Sequence, residues 1–175
     1  TNRPETSDTT FSWNDFASHL NNELVATLGN LVNRTFVFIK KFAEGLIVDD
    51  PVLTDDDKVF WEALKDKESK VTELLEDVKL RDALHGIMEI ARDGNAYFQS
   101  AQPWKTIKQE PAKAKASLYI LAHLCRDLAV MLQPYLPSTS ASIFEQLGIQ
   151  EQDWSVLGAL DLGGKEIADP KHLFT

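Results

Sequence analysis

Residues 24–42 read LVATLGNLVNRTFVFIKKF, and their spacing decides the fold class. Leu24, Leu28, Leu31, Val32, Thr35, Ile39 and Phe42 recur at steps of three and four. That is one apolar stripe of an amphipathic helix, not the alternation of a half-buried strand. The same helix is expected to begin near Ser12, where Asp15 follows three residues on as a first-turn acid behind an N-cap. It runs to about Leu46. Gly29 within it costs about 1 kcal/mol relative to Ala, which marks a bend or a close neighbour.

The helical pattern continues downstream. Residues 1–11 are polar, contain Pro4 and read as an extended lead-in, and 47–57 as an acidic loop with Pro51. A second helix is expected over about 55–67, with Phe60, Trp61 and Leu64 apolar. A third over about 70–101 has Leu74, Val78, Leu84, Ile87, Met88, Ala91, Asn95 and Phe98 on one face. Gln102-Pro103 stops it, because Pro lacks the N–H donor and disfavours a helical residue before it. Trp104 sits just past that stop. A fourth helix over about 111–134 places Leu118, Leu121, Ala122, Cys125, Leu128, Ala129 and Leu132 on one face, and Pro134 and Pro137 end it. A short helix over 138–147 ends at Gly148. Residues 149–175, with Gly158, Gly163, Gly164 and Pro170, read as loops or a short hairpin. The expected architecture is an all-α bundle of four to five helices with an irregular C-terminal tail.

Composition sets the outer bounds. The 175 residues are 43% apolar and 26% charged, enough chain for one domain with a sizeable core and no need of a disulfide or metal staple. The single Cys125 excludes an intramolecular disulfide framework and a multi-Cys zinc cluster. The sequence shows neither a membrane-length apolar run nor a signal or transit peptide, so a soluble, cytoplasmic protein is expected. Eighteen bases against 27 acids give a net charge of −9, which supplies no overall attraction to nucleic acid. The balance is uneven, however. Residues 49–57 hold five Asp and no base, while 91–126 hold six bases (Arg92, Lys105, Lys108, Lys113, Lys115, Arg126) against Asp93 and Glu110.

Catalytic patterns are missing. The chain has no Gly-rich phosphate loop, no His-Glu-x-x-His and no G-x-S-x-G elbow. His19, His85, His123 and His172 are scattered, and Asp55-Asp56-Asp57 reads as a solvated loop and helix start rather than an acid–base pair.

Two features remain. On a helical wheel Asn30 and Arg34 stack one turn apart, roughly opposite the apolar stripe, with Glu23 and Lys41 on the same side. They are either an ordinary solvent face or an amide and a guanidinium suited to bonding base edges. Trp104 leads into Lys105-Thr106-Ile107-Lys108. It is either a lid folded onto the bundle or a stacking platform for splayed single-stranded bases beside a basic patch.

These residues carry a resemblance. Arg3 to Thr9 with Phe11-Ser12-Trp13, Asn21-Asn22-Glu23-Leu24 and Gly29 to Arg34 lead it. Ile87 to Ala91 with Gly94-Asn95, Gln102-Pro103-Trp104-Lys105 and Met131 to Pro137 complete it. In this order and at these separations the chain resembles the C-terminal, helical-bundle anticodon-binding domain of methionyl-tRNA synthetases, over about residues 1–148. The resemblance implies that Asn30 and Arg34 bond bases of a CAU anticodon and that Trp104 stacks on the unwound loop. Pro103, Lys41, Lys105 and Lys108 would support them, with Lys40, Lys113 and Lys115 also on the RNA side. It implies a linker stub over 1–11, the anticodon-binding bundle over 12–148 and a tail over 149–175, whose stretch from about 156 is similar to a segment that folds back toward the catalytic domain.

The departures limit what it implies. The family's His-x-Gly-His and Lys-Met-Ser-Lys-Ser motifs, zinc-bearing insertion and methionine pocket are missing from this sequence. The expectation is therefore a non-catalytic fragment of a methionine–tRNA ligase, a class I synthetase of protein biosynthesis. Its parent would use ATP with Mg, while the fragment itself needs no cofactor or metal. The expected partners are methionine tRNA, through its anticodon loop, and the catalytic domain of the same chain, with no membrane or DNA. The rivals are an anticodon domain of the leucyl, isoleucyl, valyl or cysteinyl enzymes, a helical protein-interaction module, and a metal-dependent helical enzyme.

Overall fold

Asn30 to Ala43 forms α1, and a π-helical segment, Leu20–Gly29, runs directly into it. The computed structural model describes residues 20–174, with side chains from Leu24 onward. The expected Ser12–Asp15 cap and the lead-in over 1–11 lie outside the described residues. The apolar stripe is buried as its spacing predicts, at Leu28, Leu31, Val32, Thr35 and Ile39, and Phe36 joins it. Glu44 and Gly45 then turn the chain through positive φ (54° and 83°) and end the helix.

The acidic run is a helix start. Thr54 caps α2 (Asp55–Glu76): its hydroxyl accepts from Asp57 N (3.2 Å), and Asp57 Oδ2 accepts from Thr54 N (2.8 Å). This capping box satisfies two otherwise orphaned donors, and three Asp in the first turn suit the positive end of the helix dipole. Buried Asp57 also accepts from Tyr97 Oη (2.5 Å), tying α2 to α3 (Leu80–Ala101).

The second and third helices divide elsewhere than the sequence suggests. α2 does not stop near 67 but continues through Val71 to Glu76, and the break falls at Asp77–Lys79. Val78 N donates to Leu75 O and Lys79 N to Leu74 O (2.8 Å), a Schellman closure with Val78 at φ 61°. A β-branched residue occupies the position that normally takes Gly, so the usual sequence marker is absent. Val78, expected on the buried face, is 70% exposed. Val78→Gly should relieve the left-handed strain at almost no loss of burial. We expect stabilisation of about 1 kcal/mol by urea titration, because the strain relieved exceeds Gly's greater unfolded-state entropy.

Past α3, Gln102 takes φ 44° and Pro103 opens a helix the periodicity does not reveal, α4 (Pro103–Gln109). α5 (Pro111–Leu132) is the centre of the bundle and is buried on every side from Ala116 to Leu132, not on one face. Gly94 lets α3 approach it: a Cβ there would sit 2.5 Å from Leu124 and 2.8 Å from Leu31. α6 (Pro137–Gln146) ends at Gly148. The architecture is the all-α bundle expected from the periodicities.

The tail is pinned rather than loose. Among its described residues there is one 3-10 turn, Trp154–Val156. Of the two readings it follows the loops, and Glu166 makes an antiparallel bridge with Leu46. Trp61 Nε1 donates to Gly158 O (3.2 Å), Trp154 Nε1 to Thr72 Oγ1 (2.8 Å) and Tyr119 Oη to Leu160 O (3.1 Å). Leu162 and Ile167 enter the core.

Beneath the tail lies a buried polar network on α5. Arg126, fully buried, donates from Nε to Asp127 Oδ1 (2.7 Å), from NH2 to Ala159 O (2.6 Å) and from NH1 to Asp161. Asp127 Oδ2 accepts from Gly158 N (3.1 Å). His123 donates from Nδ1 to Tyr119 O and accepts at Nε2 from Leu162 N (both 2.8 Å), so it is held neutral. Burial lowers its pKa to about 4.

Glu68 of α2 faces Asp127. Burial, and then the neighbouring carboxylate, raise its pKa to about 9; burial raises that of Asp127 too, but Arg126, Glu68 and Gly158 oppose the rise there. Glu68 therefore holds the shared proton. The folded chain keeps that proton where the unfolded chain has released it, so Glu68 lowers stability as pH rises from about 4.5 toward about 9. Between about 6.5 and 4, His123 acts oppositely, because only the unfolded chain gains a proton as pH falls. Glu68→Gln should be close to wild type at pH 4 and more stable by on the order of 2 kcal/mol at pH 7, and denaturant titrations across pH will read the difference.

Candidate nucleic-acid interface

Asn30, Arg34 and Phe38 follow one another at four-residue steps and so form a column along α1. The column meets the end of α3 and the start of α4. Phe98, fully buried on α3, forms its floor. Arg34 Cζ lies 4.2 Å from the Phe98 ring centroid and 5.8 Å from that of Trp104. Trp104 stacks on Phe98 (centroids 5.8 Å apart, planes at 22°) and meets Phe38 edge-on at 6.3 Å. Phe38 also stands edge-on to Phe98, at 5.3 Å.

Arg34 is half-buried, not on a free solvent face opposite the stripe. The wheel counts only the residues of its own helix, whereas α3 and α4 cover this flank of α1 with aromatic rings. A guanidinium over an aromatic face gains about 0.5–2 kcal/mol, more as it is desolvated. That desolvation moves the Arg34 pKa downward from its ordinary value. Among the described residues the contacts of Arg34 are with the Phe98 and Trp104 rings, with no ion pair to an acid. Its conformation is thus fixed by packing instead of by an ion pair.

Trp104 is folded onto the bundle, the first of the two roles open to it. It packs on the bundle through Phe98 and Phe38 yet remains only half-buried. Pro103 beneath it is buried at the first position of α4 and fixes where that helix begins. Lys105 and Lys108 on α4 and Lys41 on α1 are exposed. Lys41 Nζ lies 5.5 Å over the Phe42 ring. Lys40 is turned away: Nζ donates to Ile167 O (3.2 Å) and lies 3.4 Å from Asp169, so it holds the tail. Lys113 lies 3.9 Å from Glu110, the residue that precedes its helix.

Sequence reasoning missed Phe98 and Phe38 as supports and Asn95 as a neighbour of Asn30. Asn95 and Phe98 are three apart on α3 and Asn30 and Arg34 four apart on α1, each about one turn, and this pairing of turns was the available signal. Asn30 is exposed, and its Nδ2 donates to Asn95 Oδ1 (3.4 Å). Among the described residues no group of three or more His, Cys, Asp and Glu could hold a metal ion. Cys125 is buried and its thiol pushed up to about 12, so it is unreactive.

The arrangement is an exposed amide, a packed guanidinium and an indole on one face, with lysines at its margin. Base-edge bonding and stacking are what such a set of groups can do. Comparison with known proteins shows the family. Residues 49–175 match the family described as anticodon binding domain of methionyl tRNA ligase, and 1–36 match the class I tRNA synthetase family for methionine. A methionine–tRNA ligase from Bacteroides fragilis is 38% identical over 99% of this chain and 26% of its own length. One from Methanopyrus kandleri is 37% identical over 98% of this chain and 25% of its own. The chain thus spans about a quarter of the length of these relatives. The apo form of Mycobacterium tuberculosis methionyl-tRNA synthetase shares the fold, with a TM-score of 0.87 over 94% of this chain and 34% of that one, at 24% identity. The chain belongs to the family of anticodon-binding domains of methionyl tRNA ligase.

Proposed function

We propose that this chain recognises the CAU anticodon of methionine tRNA as one part of a longer methionine–tRNA ligase, which attaches methionine to tRNA using ATP. Asn30 and Arg34 bond base edges, Trp104 stacks on a splayed base, and Lys41, Lys105 and Lys108 attract the loop backbone. In this reading 12–148 is the recognition domain, 1–11 joins it to the catalytic domain and 149–175 braces it. The observation that supports the reading best is Arg34 held over the Phe98 ring beside half-exposed Trp104, with Asn30 one turn away. This places donors, a π-face and an amide within one side chain's reach of each other.

Methionine activation is assigned to the remainder of the longer protein, with its ATP and Mg, because the His-x-Gly-His and Lys-Met-Ser-Lys-Ser motifs are missing from this sequence. The cytoplasm is the proposed site of action. No described helix is long and apolar enough to cross a membrane.

The test is titration of a labelled CAU stem-loop and a one-base-altered control at low and moderate salt, with wild type and Trp104→Ala. Selective binding of CAU, weakened about ten- to a hundredfold in the variant, is expected. Equal affinity for the two loops would reduce the site to a non-specific contact. No binding even at low salt would favour a protein-docking module. Preference for another anticodon would assign the chain to a different synthetase.

A further inference from the structure

Among the described residues, Val78 alone combines a left-handed backbone with an exposed apolar side chain (φ 61°, 70% exposed). The conformation suits Gly, so within this chain the Val side chain brings strain and almost no burial. Leu80, two residues on, is 47% exposed as well. The charges between and before them are spent on each other, with Lys79 Nζ 2.9 Å from Asp77. Tyr135 Oη donates to Leu80 O (2.7 Å) and ties the turn to the connection between α5 and α6. The α2–α3 turn is thus a small apolar tip on a firm base.

Its place in the bundle says what it faces. α1 and α3 run side by side in the same sense, since Asn95 donates to Thr27 O and Phe98 lies under Arg34. Leu80 precedes Phe98 on α3 by 18 residues, about 27 Å along the helix axis. The tip is therefore remote from Arg34 and Trp104. The π-helical segment begins at Leu20, back along the same direction, so the chain enters the bundle from the end that carries the tip. Residues 1–36 match the class I tRNA synthetase family for methionine, and in the reading above 1–11 lead to the catalytic domain.

We propose that Val78 and Leu80 are the apolar contact through which the bundle docks on the catalytic domain of the longer ligase. Docking buries both side chains and offsets the strain at Val78, which the chain by itself does not recover. It also fixes the direction in which α1 and α3 carry the RNA-binding face away from the catalytic domain. The inference rests on the reading of this chain as one part of that ligase.

The test is maleimide labelling of Val78→Cys in this chain alone and in the longer ligase, read at each cysteine by peptide mass spectrometry. Cys125 is buried and so silent, and Val52→Cys, at a position 92% exposed just before α2, is the control. We expect the Val78→Cys thiol to react about tenfold or more slowly in the ligase than in the chain alone, and the Val52→Cys thiol equally in both. Leu80→Cys gives a second reading of the same contact. Val78→Gly should stabilise the chain and leave its CAU-loop affinity and methionine activation unchanged, yet lower charging by the ligase about three- to tenfold. A merely structural role would move stability and charging together. Equal reactivity of the Val78→Cys and Leu80→Cys thiols in chain and ligase would overturn the assignment. So would slowing in the chain alone as its concentration rises, which means a second copy, or on addition of the CAU stem-loop, which means RNA. Failure of wild type to prefer CAU would overturn the recognition reading instead, and protection in the ligase would still support the docking.

Discussion

Arg126→Ala should cost about 3–5 kcal/mol of stability, the range for removing one member of a buried ion pair. The side chain is fully buried and holds Asp127, Asp161 and the Ala159 carbonyl at once. Its loss leaves the Asp127 carboxylate buried with only protonated Glu68 and the Gly158 N–H for compensation, and opens a cavity in the central helix. The tail should release before the bundle does, because Gly158 to Leu162 is attached through this network. Urea titration will give the total, and hydrogen exchange at the Gly158 and Leu162 amides will show whether the tail opens first. A loss below 1 kcal/mol would mean that the network contributes little beyond packing.

Phe98→Ala is expected to cost a further large amount, about 3–5 kcal/mol, the range for emptying a buried phenylalanine site. That variant cannot separate the core from the interface. Phe98→Leu can, since a near-isosteric aliphatic should cost less than about 1.5 kcal/mol. It removes the flat ring from under Arg34 and Trp104. We expect CAU-loop affinity to fall about tenfold in Phe98→Leu, consistent with the loss of a cation–π and an aromatic contact that preorganise the site. Unchanged affinity in a folded Phe98→Leu chain would show that Arg34 and Trp104 do not depend on this floor.

Much of the fold was legible because apolar spacing is what burial selects: the α1 stripe and the proline-bounded ends of α3 and α5 fall where the sequence places them. The break at Val78 was not, since a β-branched residue occupies a left-handed position whose usual marker is Gly. α4 is seven residues long, too short for a period to show. On α5, His123, Arg126 and Asp127 looked like the polar side of an amphipathic helix. They are buried because the tail covers that side and supplies carbonyls, amides and Asp161 as partners. Arg34 was misplaced for the same reason, as a wheel cannot represent a neighbour's rings. Residue type and spacing singled out Asn30, Arg34 and Trp104 but left each two roles, and the ring and amide packed against them come from α3, more than 60 residues away in sequence.

The central claim is that the face of Asn30, Arg34 and Trp104 meets the anticodon loop, and indole resonances test it most directly. Trp61 and Trp154 donate to Gly158 O and Thr72 Oγ1 within the bracing of the tail, so they serve as internal controls. Adding a CAU stem-loop to 15N-labelled chain should shift or broaden the Trp104 indole signal and the side-chain amide signals of Asn30 and Asn95, with Trp61 and Trp154 unmoved. A one-base-altered loop should do so only at higher concentration. Binding that moves the two control indoles and leaves Trp104 unchanged would contradict the account.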